Sequence, residues 1–182
     1  MVVLILAGGV ALVVIYGIVV YNELVKESIL VKEGWSGIGT FLQQRLDLIP
    51  NLVETVKGYA GHENKTLTDV TRARNESLSA LTPEAQMEAA RNMNAALLNF
   101  KSLTEQYPDL KADSSFLQLQ QQLADMEEKI NQSRRYYNGT VREFNQSIAV
   151  FPKNLIAGMF GFKEATFFAE DPASQTAPKV SF

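Results

Sequence analysis

The sequence has no cysteine and only one histidine, His62, among its 182 residues. Without cysteine the chain forms no disulfide, thiolate metal site, iron–sulfur cluster or cysteine nucleophile. A single histidine excludes a two-histidine metal site or a histidine relay within one chain. His62-Glu63 begins the HExxH pattern of zinc proteases, but position 66 is Thr, so the second histidine of that pattern is missing.

Other chemical motifs are also missing. The spaced glycines Gly34, Gly37 and Gly39 lack the preceding strand and the Lys-Ser/Thr pair of a phosphate-binding loop. No pair of carboxylates is placed for acid–base catalysis. The chain has 17 basic and 20 acidic side chains, and its scattered lysines form no nucleic-acid footprint. We therefore expect no enzymatic activity, no cofactor, no metal and no nucleic-acid partner.

Charge is missing from residues 1–22, and every Lys, Arg, Asp and Glu lies in residues 23–182. Val2–Tyr21 is an uncharged apolar run, long enough as a helix (about 30 Å) to cross the hydrocarbon core of a bilayer. It has no basic residues before it and no small-x-small cleavage site after it, which favours an uncleaved single-pass anchor over a signal peptide. A buried core helix is the alternative. The first expected partner is the lipid bilayer.

The orientation of the anchor is weakly encoded. Lys26 and Lys32 follow the apolar run, whereas no basic side chain precedes it. The positive-inside rule therefore favours a cytoplasmic C-terminal domain on a bacterial inner (cytoplasmic) membrane.

Residues 23–168 show helical periodicity, which predicts an all-α fold: an antiparallel bundle of three long helices behind the anchor. The first seam has the three-and-four spacing of coiled coils. It comprises Trp35, Ile38, Leu42, Ile49, Leu52, Val56 and Tyr59, with Arg45 at an apolar position. Pro50 interrupts this seam, and we expect a kink there, with the helix persisting to about residue 79 and a weak point at Gly58–His62. A break at Pro50 would instead produce a four-helix bundle.

The second and third long helices have clear boundaries. Thr82-Pro83 predicts a capped start for the second, which Tyr107-Pro108 ends. The third begins near Asp113 or at one of the two serines that follow, and Pro152 ends it. Residues 153–168 are apolar and rich in phenylalanine, and they either cap the bundle or form a membrane or partner patch. Residues 169–182 have nothing to build a core, and we expect a disordered tail.

These boundaries also form a series of longer motifs. They are Tyr21-Asn22-Glu23-Leu24-Val25, Arg45 to Val53 (RLDLIPNLV), Lys57-Gly58-Tyr59-Ala60 with His62-Glu63, Ala73-Arg74, Tyr136-Tyr137-Asn138, and Phe151-Pro152-x-Asn154-x-Ile156-Ala157-Gly158-x-Phe160-Gly161-Phe162. In this order they resemble the LemA family of bacterial single-span membrane proteins. The glycine-rich stretch 34–39 departs from the family pattern, and each glycine weakens a helix by about 1 kcal/mol relative to alanine. The resemblance implies a membrane-anchored helical bundle and no established enzymatic activity.

Arg45, Asp47 and Asn51 form a polar group around Pro50. They would either bind a ligand or partner at the kink, or have a structural role. In the structural interpretation, Pro50 leaves the carbonyl of Leu46 without its helical donor, and a polar side chain replaces that donor. Arg45 would then pair with an acid such as Glu143 or Asp125.

The predicted helix lengths indicate self-association. If the first helix runs unreversed to residue 79, a shorter second helix leaves residues 24–45 without an intrachain partner. Trp35, Ile38, Phe41 and Leu42 would then be free to bind a second copy. We therefore expect a self-assembling membrane scaffold or interaction protein. The alternative is an accessory subunit that binds another membrane protein and regulates a membrane enzyme such as a protease.

Overall fold

The computed structural model describes residues 1–60 and 65–168, and every regular element in that part of the chain is a helix. The helices are α1 (Val2–Ala60), α2 (Lys65–Ser79), α3 (Pro83–Thr104), α4 (Pro108–Ala112), α5 (Ser114–Ala149) and α6 (Lys153–Phe160). The all-α prediction is confirmed. His62-Glu63 and the predicted disordered tail, residues 169–182, lie outside the described residues.

The described chain divides into two compact units. The anchor unit comprises residues 1–38 and 132–168, and the bundle unit comprises residues 39–131. Both α1 and α5 contribute residues to each unit. We describe the two units separately.

Helix α1 continues through Pro50, so this proline does not reverse the chain, as expected. The prediction that the first helix persists to residue 79 is wrong, because α1 ends at Ala60, within the weak point identified from the glycines. Leu67 of α2 lies near Val53, whereas Arg74, further along α2, reaches back to Leu46. Helix α2 is therefore antiparallel to the end of α1, and the prediction of an unreversed first helix, on which self-association through residues 24–45 was based, is wrong.

The bundle unit has the four-helix layout that the sequence offered as an alternative, with the reversal after Ala60 rather than at Pro50. Thr82 caps α3 by accepting a hydrogen bond from the Ala85 amide at 3.2 Å. Asp113 caps α5, since its Oδ1 accepts from the amides of Ser115 and Phe116 at 2.8 and 2.9 Å. Both predicted helix starts are confirmed. The core of this unit comprises Leu46, Ile49, Leu52, Val53, Val56, Leu67, Val70, Ala73, Met93, Ala96, Phe100, Leu110 and Phe116.

The anchor unit begins with an apolar helix surface that has no protein cover. Large side chains from Leu6 to Val19 are exposed, among them Leu12 and Val13 at 70% and 72%. This exposure contradicts the alternative of a buried core helix. In the described part of the chain, α1 is the one helix long and apolar enough to cross a membrane, judged by length and composition.

The C-terminal part of the anchor unit folds back on α1. Helix α6 buries Ala157 beside Val20 and Leu24. The αL conformation of Gly161 (φ 73°) ends α6, and the amide of Phe162 bonds the carbonyl of Ala157 at 3.0 Å. This 6→1 bond is the Schellman termination, for which glycine has little conformational cost. Residues 162–168 follow with no regular secondary structure.

Candidate interaction sites

Arg45 lies in the core of the bundle unit, with 1% of its surface exposed. Its Nη1 donates to Asn94 Oδ1 of α3 at 2.6 Å and to Glu127 Oε2 of α5 at 2.9 Å. The expectation of an acidic partner on the last long helix is correct in kind, but the two acids named, Glu143 and Asp125, are wrong. One guanidinium thus connects three helices, because it can donate in several directions at once.

The carbonyl of Leu46, four residues before Pro50, is the acceptor that proline leaves without a helical donor. Arg74 of α2 donates its Nε–H to this carbonyl at 3.1 Å. The proposed replacement of the donor by a polar side chain is confirmed. Asp47 is exposed, and its carboxylate accepts a hydrogen bond from the side-chain amide of Gln43 at 2.9 Å. Asn51 is exposed as well. Arg45, Asp47 and Asn51 therefore do not contact a common partner within the described chain.

Beside Arg45, helices α3 and α5 border an open groove of about 640 Å³. Its walls include Leu97, Leu98, Phe100, Lys101, Leu117, Leu123 and Glu127. Leu98 and Leu117 stand exposed at its edges, at 69% and 52%. Exposed leucines that line a concave apolar surface are typical of a contact site. We call this feature the leucine groove; the sequence analysis did not identify it, because the periodicity alone assigns these leucines to a core.

In the anchor unit, two asparagines of α5 bind the backbone of the C-terminal segment, residues 162–168. Asn145 donates to the carbonyl of Ala165 at 2.9 Å and accepts from its amide at 2.8 Å. Asn138 does the same with Phe168, at 3.0 and 2.8 Å. Each amide side chain satisfies both backbone groups of one residue, as a neighbouring strand would.

Aromatic contacts hold the same segment. Phe168 is 3% exposed, with its ring 6.0 Å from that of Trp35 and 4.5 Å from the Arg134 guanidinium carbon. Tyr137 packs edge-on against Trp35 at 5.4 Å, and its hydroxyl donates to the carbonyl of Thr166 at 2.8 Å. The motif residues Tyr137 and Asn138 thus hold the end of the described chain against α5.

The remaining motif residues lie at the corner between α5 and α6. Pro152 precedes α6, whereas Phe151, Asn154, Gly158 and Gly161 are exposed. Phe162 packs near Phe144 and Tyr21, with ring centroids 6.2 and 6.0 Å apart. Phe162 thus packs onto α1 and α5 within the anchor unit.

The residues predicted for self-association have places within the chain. Ile38 is fully buried, and Trp35 is partly buried between Tyr137 and Phe168. Phe41 is partly buried, and Leu42 lines a small cavity of about 70 Å³ together with Ala90. The expectation that these four side chains lack intrachain partners is wrong. Self-association itself stays a prediction.

An ion pair and a hydrogen bond join α1 to other parts of the anchor unit just beyond the apolar run. Lys153 bonds Glu23 at 2.7 Å, and Ser147 donates to Glu27 at 2.9 Å. The hydrogen bond to Glu23 raises the pKa of Lys153, and the negative charges of Glu23 and Glu27 add to this effect. Lys153 is therefore cationic throughout the neutral range.

No cluster of three or more metal-ligating side chains occurs in residues 1–60 and 65–168.

A LemA family profile matches residues 34–182. The chain belongs to the LemA family. The resemblance drawn from the motifs is confirmed, and the matched range includes the bundle unit and, of the anchor unit, residues 34–38 and 132–168.

Individual relatives are more distant. Protein LemA of Metamycoplasma hominis is 29% identical over 143 residues, which cover 75% of this chain and 63% of that protein. Magnetosome protein MamQ 2 of Paramagnetospirillum magneticum is 26% identical over 182 residues, covering 86% of this chain and 67% of that protein. Magnetosome protein MamQ of Magnetospirillum gryphiswaldense is 24% identical, covering 78% and 61%. The chain thus spans about two thirds or less of these relatives.

Proposed function

We propose that this LemA-family chain is a membrane-anchored scaffold that assembles with further copies of itself and has no catalysis of its own. The observation that carries the proposal is the leucine groove, an exposed apolar concavity in the bundle unit. Anchoring by residues 2–21 in a bacterial cytoplasmic membrane, with the C-terminal domain in the cytoplasm, is part of the proposal.

A second copy is the occupant that fits the groove best. Leu98 and Leu117 stand on the two helices that border the concavity, so the same face offers both a groove and projecting side chains. A two-fold contact uses one self-complementary patch twice. The charged side chains that line the groove are Arg45, Lys101 and Glu127. Glu127 pairs with the buried Arg45 but keeps 40% of its side chain exposed, so that it can face Lys101 of a second copy.

Anchoring favours this contact further. Copies held in one bilayer share an orientation with respect to that bilayer. Confinement of this kind raises the effective concentration of one groove for another. Anchored copies can therefore assemble through a weaker contact than a dimer that is free in solution would need.

The test is the mass of the full-length protein in mild detergent, measured by light scattering for the wild type, Leu98→Gln and Leu117→Gln. Leu81→Gln is the matched control, because Leu81 is 90% exposed in the same unit and does not line the groove. We expect oligomers for the wild type and the control, and a shift to monomers for the groove variants. Monomers in all four samples, or equal oligomers in all four, would contradict assembly through the groove.

The alternative is an accessory subunit that binds and regulates a membrane enzyme such as a protease. It predicts that a photocrosslinker at Leu98 captures one different membrane protein in stoichiometric amount, while the purified chain stays monomeric.

A further inference from the structure

The outward face of the corner between α5 and α6 is apolar and exposed. Its large side chains are Val150, Phe151, Leu155, Met159 and Phe160, exposed between 52% and 77%. A contiguous apolar patch of this kind marks a contact surface. The position of this patch along α1 indicates what the patch contacts.

The inner face of α6 fixes that position. A Cβ placed on Gly17 would lie 3.7 Å from Ile156 Cδ1, and Ala157 packs with Val20 and Leu24. The ring of Phe160 lies 4.6 Å from that of Tyr21. Gly17 is five residues before Asn22, the end of the uncharged segment, which is about 7 Å along a helix. Helix α6 therefore lies beside the last turns of the apolar run.

Polar groups lie beside the residues of α1 that follow the apolar run. Lys153, the first residue of α6, bonds Glu23, the first charged residue of the chain. Ser147 bonds Glu27 one turn further along α1. The charged layer begins where the apolar surface of the corner ends, and that surface is continuous with the exposed apolar surface of α1.

We propose that the exposed apolar side chains of residues 150–160 insert into the acyl-chain region at the membrane surface, while Lys153 stays in the charged layer with Glu23, so that the chain contacts the bilayer with two segments rather than one. A helix lying in the interface buries its apolar face about 5–10 Å into the boundary between head groups and acyl chains. The level of Ile156 beside Gly17 falls within this depth. The inference rests on the proposed anchoring of residues 2–21.

The absence of cysteine makes a site-directed test direct, since a single introduced cysteine is the only labelling site. Nitroxide labels at Leu155→Cys and Met159→Cys, in full-length protein reconstituted in phosphatidylcholine–phosphatidylglycerol vesicles, report collisions with oxygen and with a water-soluble nickel chelate. Leu12→Cys is the reference within the apolar run, and Leu81→Cys is the aqueous reference in the bundle unit. All four side chains are more than half exposed, so their replacement leaves the fold intact, which circular dichroism checks.

We expect the labels at 155 and 159 to favour oxygen over nickel, at a depth shallower than the label at 12, and the label at 81 to favour nickel. If the label at 12 lies in lipid and those at 155 and 159 behave like the label at 81, insertion is overturned and anchoring stands. If the labels at 155 and 159 are shielded from both reagents, protein rather than lipid covers these residues, and this result also overturns insertion. A label at 12 that favours nickel would overturn the anchoring and the insertion together.

Discussion

Arg74 Nε donates to the backbone carbonyl of Leu46 at 3.1 Å, and this carbonyl is the one that Pro50 deprives of its helical donor. A side chain of α2 thus compensates for a proline inside α1. The contact explains how α1 continues through Pro50 without leaving the Leu46 carbonyl unsatisfied.

This compensation predicts a specific coupling. Arg74→Met should lower the free energy of unfolding by about 1.5–3 kcal/mol, the range for hydrogen bonds with a charged partner. In a Pro50→Ala background, the alanine amide supplies the missing donor, so Arg74→Met should cost at least about 1 kcal/mol less. Denaturant unfolding of the four proteins of this double-mutant cycle measures the coupling. Equal losses in both backgrounds would show that the two residues act independently.

The pairing of Arg45 with Glu127 and Asn94 predicts a second loss of stability. Arg45→Met should destabilise the protein by about 1.5–3 kcal/mol. Full burial of both charges would give more, but the Glu127 side chain is 40% exposed and stays solvated when its partner is removed. Asp47→Ala, at an exposed position two residues away, is the control and should change stability by no more than about 0.5 kcal/mol. Thermal unfolding compares them, and a stable Arg45→Met variant would refute a structural role for the ion pair.

Two glycines of α1 should respond differently to alanine. A Cβ on Gly34 would lie 3.3 Å from the Tyr137 backbone Cα, whereas a Cβ on Gly37 meets nothing within 4 Å. Gly37→Ala should therefore stabilise the protein by about 1 kcal/mol through helix propensity. In Gly34→Ala the same gain is offset by the forced separation of α1 and α5. Melting temperatures test this, and an equal rise in both variants would show that the approach of the two helices does not need glycine at position 34.

The asparagine contacts of α5 predict local release of the C-terminal segment. Asn138→Ala or Asn145→Ala removes two side chain–backbone hydrogen bonds, worth about 2 kcal/mol together. Hydrogen exchange of residues 163–168 should accelerate roughly tenfold or more, with little change in the bundle unit. Gln146→Ala, exposed on the same helix, serves as the comparison and should leave exchange unaltered. Unchanged protection in the asparagine variants would mean that packing of Phe168 alone holds the segment.

Local signals in the sequence predicted the helix starts correctly, because Thr82 and Asp113 bond amides only two or three residues away. The need of the Leu46 carbonyl for a donor followed from Pro50 alone. The identity of that donor did not, since Arg74 comes from a helix whose direction the sequence left undetermined. Val53, Ala60, Leu67 and Leu81 follow a seven-residue spacing that crosses the reversal. Such spacing is typical of one continuous helix, so it predicted a helix beyond Ala60.

Candidate sites were less predictable than helices. The acid that pairs with Arg45 depends on the register between α1 and α5, and an offset of two residues separates the expected Asp125 from Glu127. The asparagine contacts had a weak signal, two asparagines seven residues apart on one helix face, at positions 138 and 145. The leucine groove had no such signal, because exposure at its edges follows from packing rather than spacing.

The titration of Asp113, which caps α5, predicts how the stability of the protein falls at acid pH. The amide of Phe116 and the hydroxyl of Tyr59, 2.9 Å away, lower the pKa of Asp113 from its ordinary value of 3.8. A lowered folded pKa means that the contribution is fully present above about pH 4 and is lost as the pH falls through the folded value. Asp113→Asn keeps an acceptor at the cap but removes this titration, so its stability should fall less steeply than wild type below pH 4. Tyr59→Phe should reduce the pH dependence of stability only in part, because the Phe116 amide lowers the pKa of Asp113 more than Tyr59 does. Urea midpoints between pH 2.5 and 6 measure the slopes, and parallel curves for wild type and Asp113→Asn would show that another carboxylate governs acid unfolding.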